Sequence, residues 1–179
     1  GKIDYFLTRP FSYINEILSK DLGGKTVALI VSIPGLVAAM FLMSYILPVE
    51  PLSISLIQAV VFTGFLILGY FMQFFIALWI VLLTFWFEGS AGLEHFKWIS
   101  VTLFSGAMIP IEFTPEWLQN IYAILPLKYI FAVPIKYIQG DIMLTPQLGA
   151  EVLFSFLLMV GITKILWSKA VYQYSSAGG

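Results

Sequence analysis

The segment Trp98–Gly140, WISVTLFSGAMIPIEFTPEWLQNIYAILPLKYIFAVPIKYIQG, is apolar enough to enter a membrane but too interrupted to cross it as one plain helix. As a helix, its uncharged first part, residues 98–111, would reach about 21 Å, short of the ~30 Å hydrocarbon layer. Prolines and lysines then follow, and lipid penalises both a missing backbone hydrogen bond and a charge. The sequence therefore predicts two short helical pieces, 116–125 and 127–138. They would form a re-entrant or interfacial region, 112–140, shielded by protein or by a water-filled vestibule.

Two lysines inside this segment need polar surroundings. Lys128 and Lys136 would point about 80° apart on one continuous helix, at 100° per residue. A break at Pro134 frees them from that constraint, so each can reach the membrane interface. Three carboxylates are available to them, on Glu112, Glu116 and Asp141.

The composition indicates an integral membrane protein. Hydrophobic residues make up 60% and charged residues 11% of the 179 residues, whereas soluble domains have about 25% charged residues. Mean hydropathy is +0.94. The net charge of -1 argues against a nucleic-acid partner, which would need a basic patch. The absence of cysteine excludes disulfides, thiolate metal sites and thiol nucleophiles.

The sequence also lacks the usual signs of catalysis. It has no Gly-x-x-x-x-Gly-Lys-Ser/Thr loop for nucleotide phosphates. Its one histidine, His95, follows Glu94 in a polar loop, and a single histidine without cysteine cannot supply the usual metal ligands. We therefore expect no catalytic residue, metal site or cofactor in this chain. A lipid-modifying enzyme centred on Glu112, Glu116 and Lys128 is the enzymatic alternative.

Outside this segment, apolar runs and helical spacing predict an all-α membrane fold. The spacing of apolar residues in 1–25 predicts an amphipathic helix, ended by a turn at Asp21–Gly24, that lies at the membrane surface or packs against a soluble partner. Residues 26–179 predict the transmembrane domain. Four transmembrane helices are expected in it, over residues 26–47, 52–87, 96–111 and 147–167, the second being long and tilted.

Two amides lie on the second predicted span. Gln58 and Gln73 are candidates for lining a translocation path. The alternative is that each bonds to a neighbouring helix, as amides within membranes usually do.

Positive charge predicts the orientation, because cytoplasmic loops are rich in lysine and arginine. With both termini inside, only Lys128 and Lys136 lie outside. The remaining basic residues are then cytoplasmic: Lys2, Arg9, Lys20, Lys25, Lys97, Lys164 and Lys169.

Three places resemble the membrane subunit of a type-2 ABC transporter, an exporter-like permease that pairs with a separate ATPase. The opening GKIDYFLTRP, residues 1–10, is similar to a cytoplasmic stretch of that family that ends in Leu-x-Arg-Pro. The order SGAMIP, PEWLQ and LP within residues 105–126, continued by Pro134 and Gly140, resembles the family's last outward loop. The ending YSSAGG, residues 174–179, resembles the small-residue terminus of one branch.

The resemblance implies two protein partners and two further transmembrane spans. Family members have six spans, so this chain, which begins with Gly1, would lack the first two. The residues before the first span here would form a coupling helix against a cytoplasmic ATPase, through Arg9, Pro10, Phe11 and Tyr13. ATP and Mg would be bound by that partner, and a second permease, identical or different, would complete the path.

The function implied is export across the plasma membrane by a permease subunit that has no catalysis of its own. The alternative is a noncatalytic four-span assembly or scaffold protein. Residues 112–140 would serve as an outer gate, or would lie flat as an interfacial cap. The residues expected in the gate region are Gly106, Pro110, Glu116, Trp117, Pro126, Lys128, Pro134 and Lys136.

Overall fold

The computed structural model describes residues 13–46, 54–84, 86 and 91–173, and every regular element in these ranges is helical. Two single 3-10 turns, Ile111–Phe113 and Pro126–Tyr129, interrupt the series of α-helices. The α-helices are α1 (Tyr13–Ile46), α2 (Leu56–Leu83), α3 (Ala91–Phe104), α4 (Glu116–Ile124), α5 (Ala132–Gln139) and α6 (Pro146–Gln173).

Three helices of the described chain are long and apolar enough to cross a membrane. They include 33 residues of α1, all 28 of α2 and 26 of α6. Helix α3 has 14 residues, a length of about 21 Å that is short of the hydrocarbon layer. The third predicted span, 96–111, is helical only as far as Phe104, and the four-span layout remains a prediction.

The chain divides into two units, one holding α1 and the other α2 to α6. Helix α1 continues through Asp21–Gly24, so the turn predicted there is wrong. Ion pairs join Lys20 to Glu16 and, at 3.2 Å, Lys25 to Asp21. Both pairs have the acid one turn before the base, the orientation that stabilises a helix. Each of Gly23 and Gly24 lowers the stability of the helix by about 1 kcal/mol relative to alanine. The ion pairs offset part of this loss.

Helix α2 is the centre of the second unit. Its first turn is closed by a capping box, in which the Gln58 N–H donates to Ser55 Oγ at 3.2 Å and the Ser55 N–H donates to Gln58 Oε1 at 2.9 Å. The helix then packs against α3, α5, α6 and the second 3-10 turn. Its buried side chains Phe65 and Met72 belong to a core completed by Val101, Tyr129, Ile130, Tyr137, Val152 and Met159.

Two features fix α2 against its neighbours. A Cβ on Gly69 would lie 3.3 Å from Ile130 Cα and 3.5 Å from the Tyr129 carbonyl oxygen, so the absence of a side chain lets two backbones approach closely. Towards the other end of the helix, Trp79 Nε1 donates to Thr163 Oγ1 on α6 at 2.7 Å. The backbone contact at Gly69 sets how closely residues 105–140 approach α2.

Prolines begin most elements of residues 105–140, which we call the proline-rich segment. Pro110 and Pro115 directly precede the first 3-10 turn and α4, and Pro126 opens the second 3-10 turn. Pro134 is the third residue of α5, where its missing N–H costs nothing because first-turn amides have no partner within the helix. The second predicted helical piece is therefore split at Ile130 and Phe131, before Pro134 rather than at it.

Candidate functional site

The proline-rich segment is joined to the end of α3 by two hydrogen bonds to backbone carbonyls. The hydroxyl of buried Tyr122 on α4 donates to the carbonyl of Leu103. The Ala132 N–H at the start of α5 donates to the Ser105 carbonyl at 3.0 Å, and Ser105 is fully buried. These bonds hold α4 and α5 beside α3 although the intervening chain is irregular.

Gly106 makes the sharp turn that follows α3. Its φ of +80° lies in the left-handed region, which residues with a side chain rarely adopt. A Cβ there would also lie 2.9 Å from Ala132 Cβ. Both the backbone conformation and the space require glycine, which gives this predicted gate residue a structural role.

Lys136 forms an ion pair with Glu112, one of the three carboxylates that the sequence offered. The hydrogen bond from Lys136 is the main cause that holds the pKa of Glu112 below its ordinary value. The ammonium of Lys136 thus favours the ionised form of Glu112. The pair connects the first 3-10 turn to α5 across the irregular chain.

Lys128 has different surroundings. Its Nζ donates to the Ala123 carbonyl at 2.8 Å and lies 5.1 Å from the centre of the Tyr129 ring. A carbonyl oxygen and an aromatic face both attract a cation. Lys128 thus binds to the end of α4, while Lys136 faces a cavity.

This cavity has a volume of about 660 Å³ and lies between the loop after α3 and the end of α5. Its lining includes apolar side chains of Met108, Ile135 and Ile142. The charged part of the lining comes from Glu112, Lys136 and Asp141, together with the amide of Gln139. A cavity lined by both apolar and charged side chains is suited to a molecule that has both kinds of surface.

The structure brings together part of the predicted gate set. Gly106, Pro110 and Lys136 line the cavity, together with Glu112. Trp117 is 65% exposed and lies with Ile124 on the apolar face of α4, a position suited to lipid. The other gate residues lie where elements begin or end: Glu116 in the first turn of α4, Pro126 and Lys128 in the second 3-10 turn, and Pro134 in α5.

The other predicted site residues are less well defined by the structure. Arg9, Pro10 and Phe11 lie outside the described residues, and Tyr13 is the first residue of α1. Gln58 caps α2, and Gln73 is half-buried on the same helix. Their assignment to a translocation path stays a prediction. Among the described residues, no three side chains of His, Cys, Asp and Glu are grouped as a metal ion would require.

Two polar residues that line the cavity, Gln139 and Asp141, were not predicted from the sequence to share a site. The sequence predicts Asp141 only as a possible partner of a lysine, and it gives no role to Gln139, although both line the cavity. The sequence feature that could have indicated this arrangement is Gly140, which ends α5 in a left-handed conformation with φ +85°. Such a C-terminal glycine folds the next residue back towards the last turn of a helix.

A comparison with protein families identifies the family to which the chain belongs. The family described as "ABC-2 family transporter protein" matches residues 1–178. The chain belongs to this family. This ABC-2 chain is therefore a permease subunit of an ABC transporter and a membrane protein, as the resemblance in its three motifs implied. ABC-2 permeases work in general with an ABC ATPase partner. No curated protein and no solved structure matches the chain significantly.

Proposed function

We propose that this ABC-2 permease is an export subunit of the plasma membrane, driven by ATP that a separate cytoplasmic ATPase hydrolyses with Mg. The permease itself supplies no catalysis. Two permeases, identical or different, enclose the path, and the proline-rich segment forms its outer gate. The observation that carries the proposal is the family match over residues 1–178, which includes both the opening with Arg9 and Pro10 and the proline-rich segment.

The arrangement of the proline-rich segment supports the role of a gate. It is tied to α3 through the Tyr122 hydroxyl and the Ala132 amide, and it contacts the centre of α2 at Gly69. A movement of α2 or α3 would therefore carry the segment with it, because its connections are to backbone atoms rather than to flexible side chains alone. A cap that lay on the lipid surface would need no such connections.

The first test is association with an ATPase. The full chain, purified from its native membrane in mild detergent, is expected to bring down a nucleotide-binding protein at stoichiometric amount and to show ATP hydrolysis that stops when Mg is chelated. Mass spectrometry and a phosphate-release assay measure the two results. Purification with only other membrane proteins, and without ATPase activity, would favour the scaffold function instead.

The second test concerns orientation. The chain contains no cysteine, so the single variants Ser53→Cys, Asn120→Cys and Ser175→Cys each report one position. In sealed cells, an impermeant maleimide is expected to label Ser53→Cys and Asn120→Cys. It should label Ser175→Cys only after the membrane is permeabilised. The unmodified chain is the control, and labelling of Ser175→Cys in sealed cells would reverse the assigned orientation.

A further inference from the structure

The cavity beside the Glu112–Lys136 pair is lined by charged residues of both signs. Lys136 lies in the last turn of α5, and Asp141 follows the helix. The Asp141 N–H donates to the Lys136 carbonyl at 2.9 Å, which fixes the two residues next to each other. A lysine and an aspartate thus lie at the same end of one helix, and both line the same cavity.

Both charges remain able to bind a ligand. An ammonium has three N–H donors, and Glu112 Oε1 accepts from Lys136, so donors are left over. The side chains of Lys136 and Glu112 are 35% and 51% exposed, and an exposed pair of this kind contributes little and is readily rearranged. Asp141 is exposed and forms no ion pair with any of the described residues.

Apolar side chains also line the cavity. Met108 and Ile135 are exposed, and they line the cavity together with Ile142 and Pro110. A small soluble zwitterion would leave these side chains uncovered, whereas a hydrocarbon chain would bury them favourably. The cavity therefore suits a molecule with a doubly charged head and an apolar body.

We propose that this cavity binds the phosphate–ammonium head of a zwitterionic amphiphile, the chemistry of an ethanolamine phospholipid, with the phosphate at Lys136 and the ammonium at Asp141. A head with phosphate alone would face two carboxylates. A head with an ammonium alone would leave the donors of Lys136 unused. The same head chemistry exists in free phosphoethanolamine, which lacks the apolar chains.

The inference extends beyond the proposed function and does not depend on it. Binding requires neither ATP nor an ATPase, and it requires no direction of transport. An assay on the full chain alone therefore tests the cavity, while the association with an ATPase tests the export function. Failure of either one leaves the other result standing.

The test is competition among lipids for the delipidated full chain in detergent, read by native mass spectrometry. The chain is offered equal amounts of dioleoyl phosphatidylethanolamine, dioleoyl phosphatidylglycerol and the cationic lipid dioleoyl trimethylammonium propane. We expect the ethanolamine lipid to be retained about tenfold more than either of the other lipids. Each of those lacks one of the two charged groups and would therefore lose about one charge-assisted hydrogen bond. Equal retention of the ethanolamine and glycerol lipids would overturn the proposal.

Variants locate the binding. Lys136→Met and Asp141→Asn should each reduce retention of the ethanolamine lipid about tenfold, and Lys136→Arg should preserve it. The matched controls are Lys128→Met and Glu116→Gln, which make the same changes at residues that do not line the cavity. Equal effects at target and control positions would overturn the assignment. The lipid competition on the unmodified chain needs no variant, so a variant that fails to fold leaves the test decisive.

Free phosphoethanolamine separates the two sources of the head chemistry. If it displaces the lipid at millimolar concentration, the charged head is sufficient for binding. If only the intact lipid competes, the apolar walls contribute as well. Both results agree with the proposed head chemistry, and they identify which form of the ligand occupies the cavity.

Discussion

Replacing Gly106 by alanine is expected to destabilise the second unit by roughly 2–4 kcal/mol, the sum of backbone strain and overpacking. The strain arises because φ is +80° at this position. The overpacking arises because the new Cβ would lie 2.9 Å from Ala132 Cβ, and a contact that short forces one of the two backbones to move. The midpoint of unfolding, followed by helical circular dichroism in SDS titrations, measures the effect.

Alanine variants at two other glycines distinguish backbone strain from overpacking. Gly140 has a similar φ of +85°, but nothing lies within 4 Å of its added Cβ. Gly140→Ala should therefore show the strain alone, about 1 kcal/mol. Gly149 on α6 has ordinary helical backbone and open space, so Gly149→Ala should be neutral or stabilising by up to about 1 kcal/mol.

A second-site change tests the contact directly. Ala132→Gly removes the methyl group that the new side chain would touch, so it should recover part of the stability lost in Gly106→Ala. The double-mutant cycle is expected to give a favourable coupling of about 1–2 kcal/mol. Additive effects, or equal losses for Gly106→Ala and Gly140→Ala, would show that the close approach to α5 does not limit the turn.

The local interruptions of the fold could be predicted from the sequence because proline acts within its own neighbourhood. Pro115 and Pro126 begin elements close to the places that the pattern indicated. The ion pair of Lys136 also followed from local chemistry, since a lysine in an apolar segment needs an acceptor and only a few carboxylates were near. Such predictions require no knowledge of how distant helices pack.

Other features depend on tertiary contacts and could not be predicted in this way. The bond from Tyr122 to the Leu103 carbonyl and the approach of Gly69 to Ile130 join residues far apart in sequence. The predicted turn at Asp21–Gly24 failed for a different reason. A pair of glycines favours a turn, but the ion pairs Glu16–Lys20 and Asp21–Lys25, each spanning one helical turn, favour a continuous helix.

The continuity of α1 matters for the proposed coupling. A turn at Asp21–Gly24 would have separated the segment near Arg9 from the first span by a flexible joint. Instead, one helix of 34 residues begins at Tyr13 and ends at Ile46. A displacement applied to its first turn can pass along the helix as far as Pro34, because the backbone hydrogen bonds of that part resist bending, whereas Pro34 itself has no N–H to donate. The ATPase contact proposed at Arg9 and Phe11 would lie just before this helix.

The double variant Arg9→Glu with Phe11→Ala is therefore expected to release the ATPase. Phe11 would act as an apolar anchor, and Arg9 would donate charge-assisted hydrogen bonds to the partner. Losing such anchors costs about 2 kcal/mol or more at an interface, so affinity should fall more than tenfold. The ratio of ATPase to permease after affinity purification, with the amount of permease in the membrane fraction, measures the result.

A charge-matched and size-matched control distinguishes the contact from a general effect on the membrane domain. Lys169→Glu with Phe113→Ala makes the same kinds of change at exposed residues of the second unit, one on the proposed cytoplasmic side and one on the opposite side. This control should keep the partner at the unmodified ratio. If both double variants lose the ATPase equally, the loss reflects damage to the permease. If Arg9→Glu with Phe11→Ala keeps it, the partner binds elsewhere on the cytoplasmic surface.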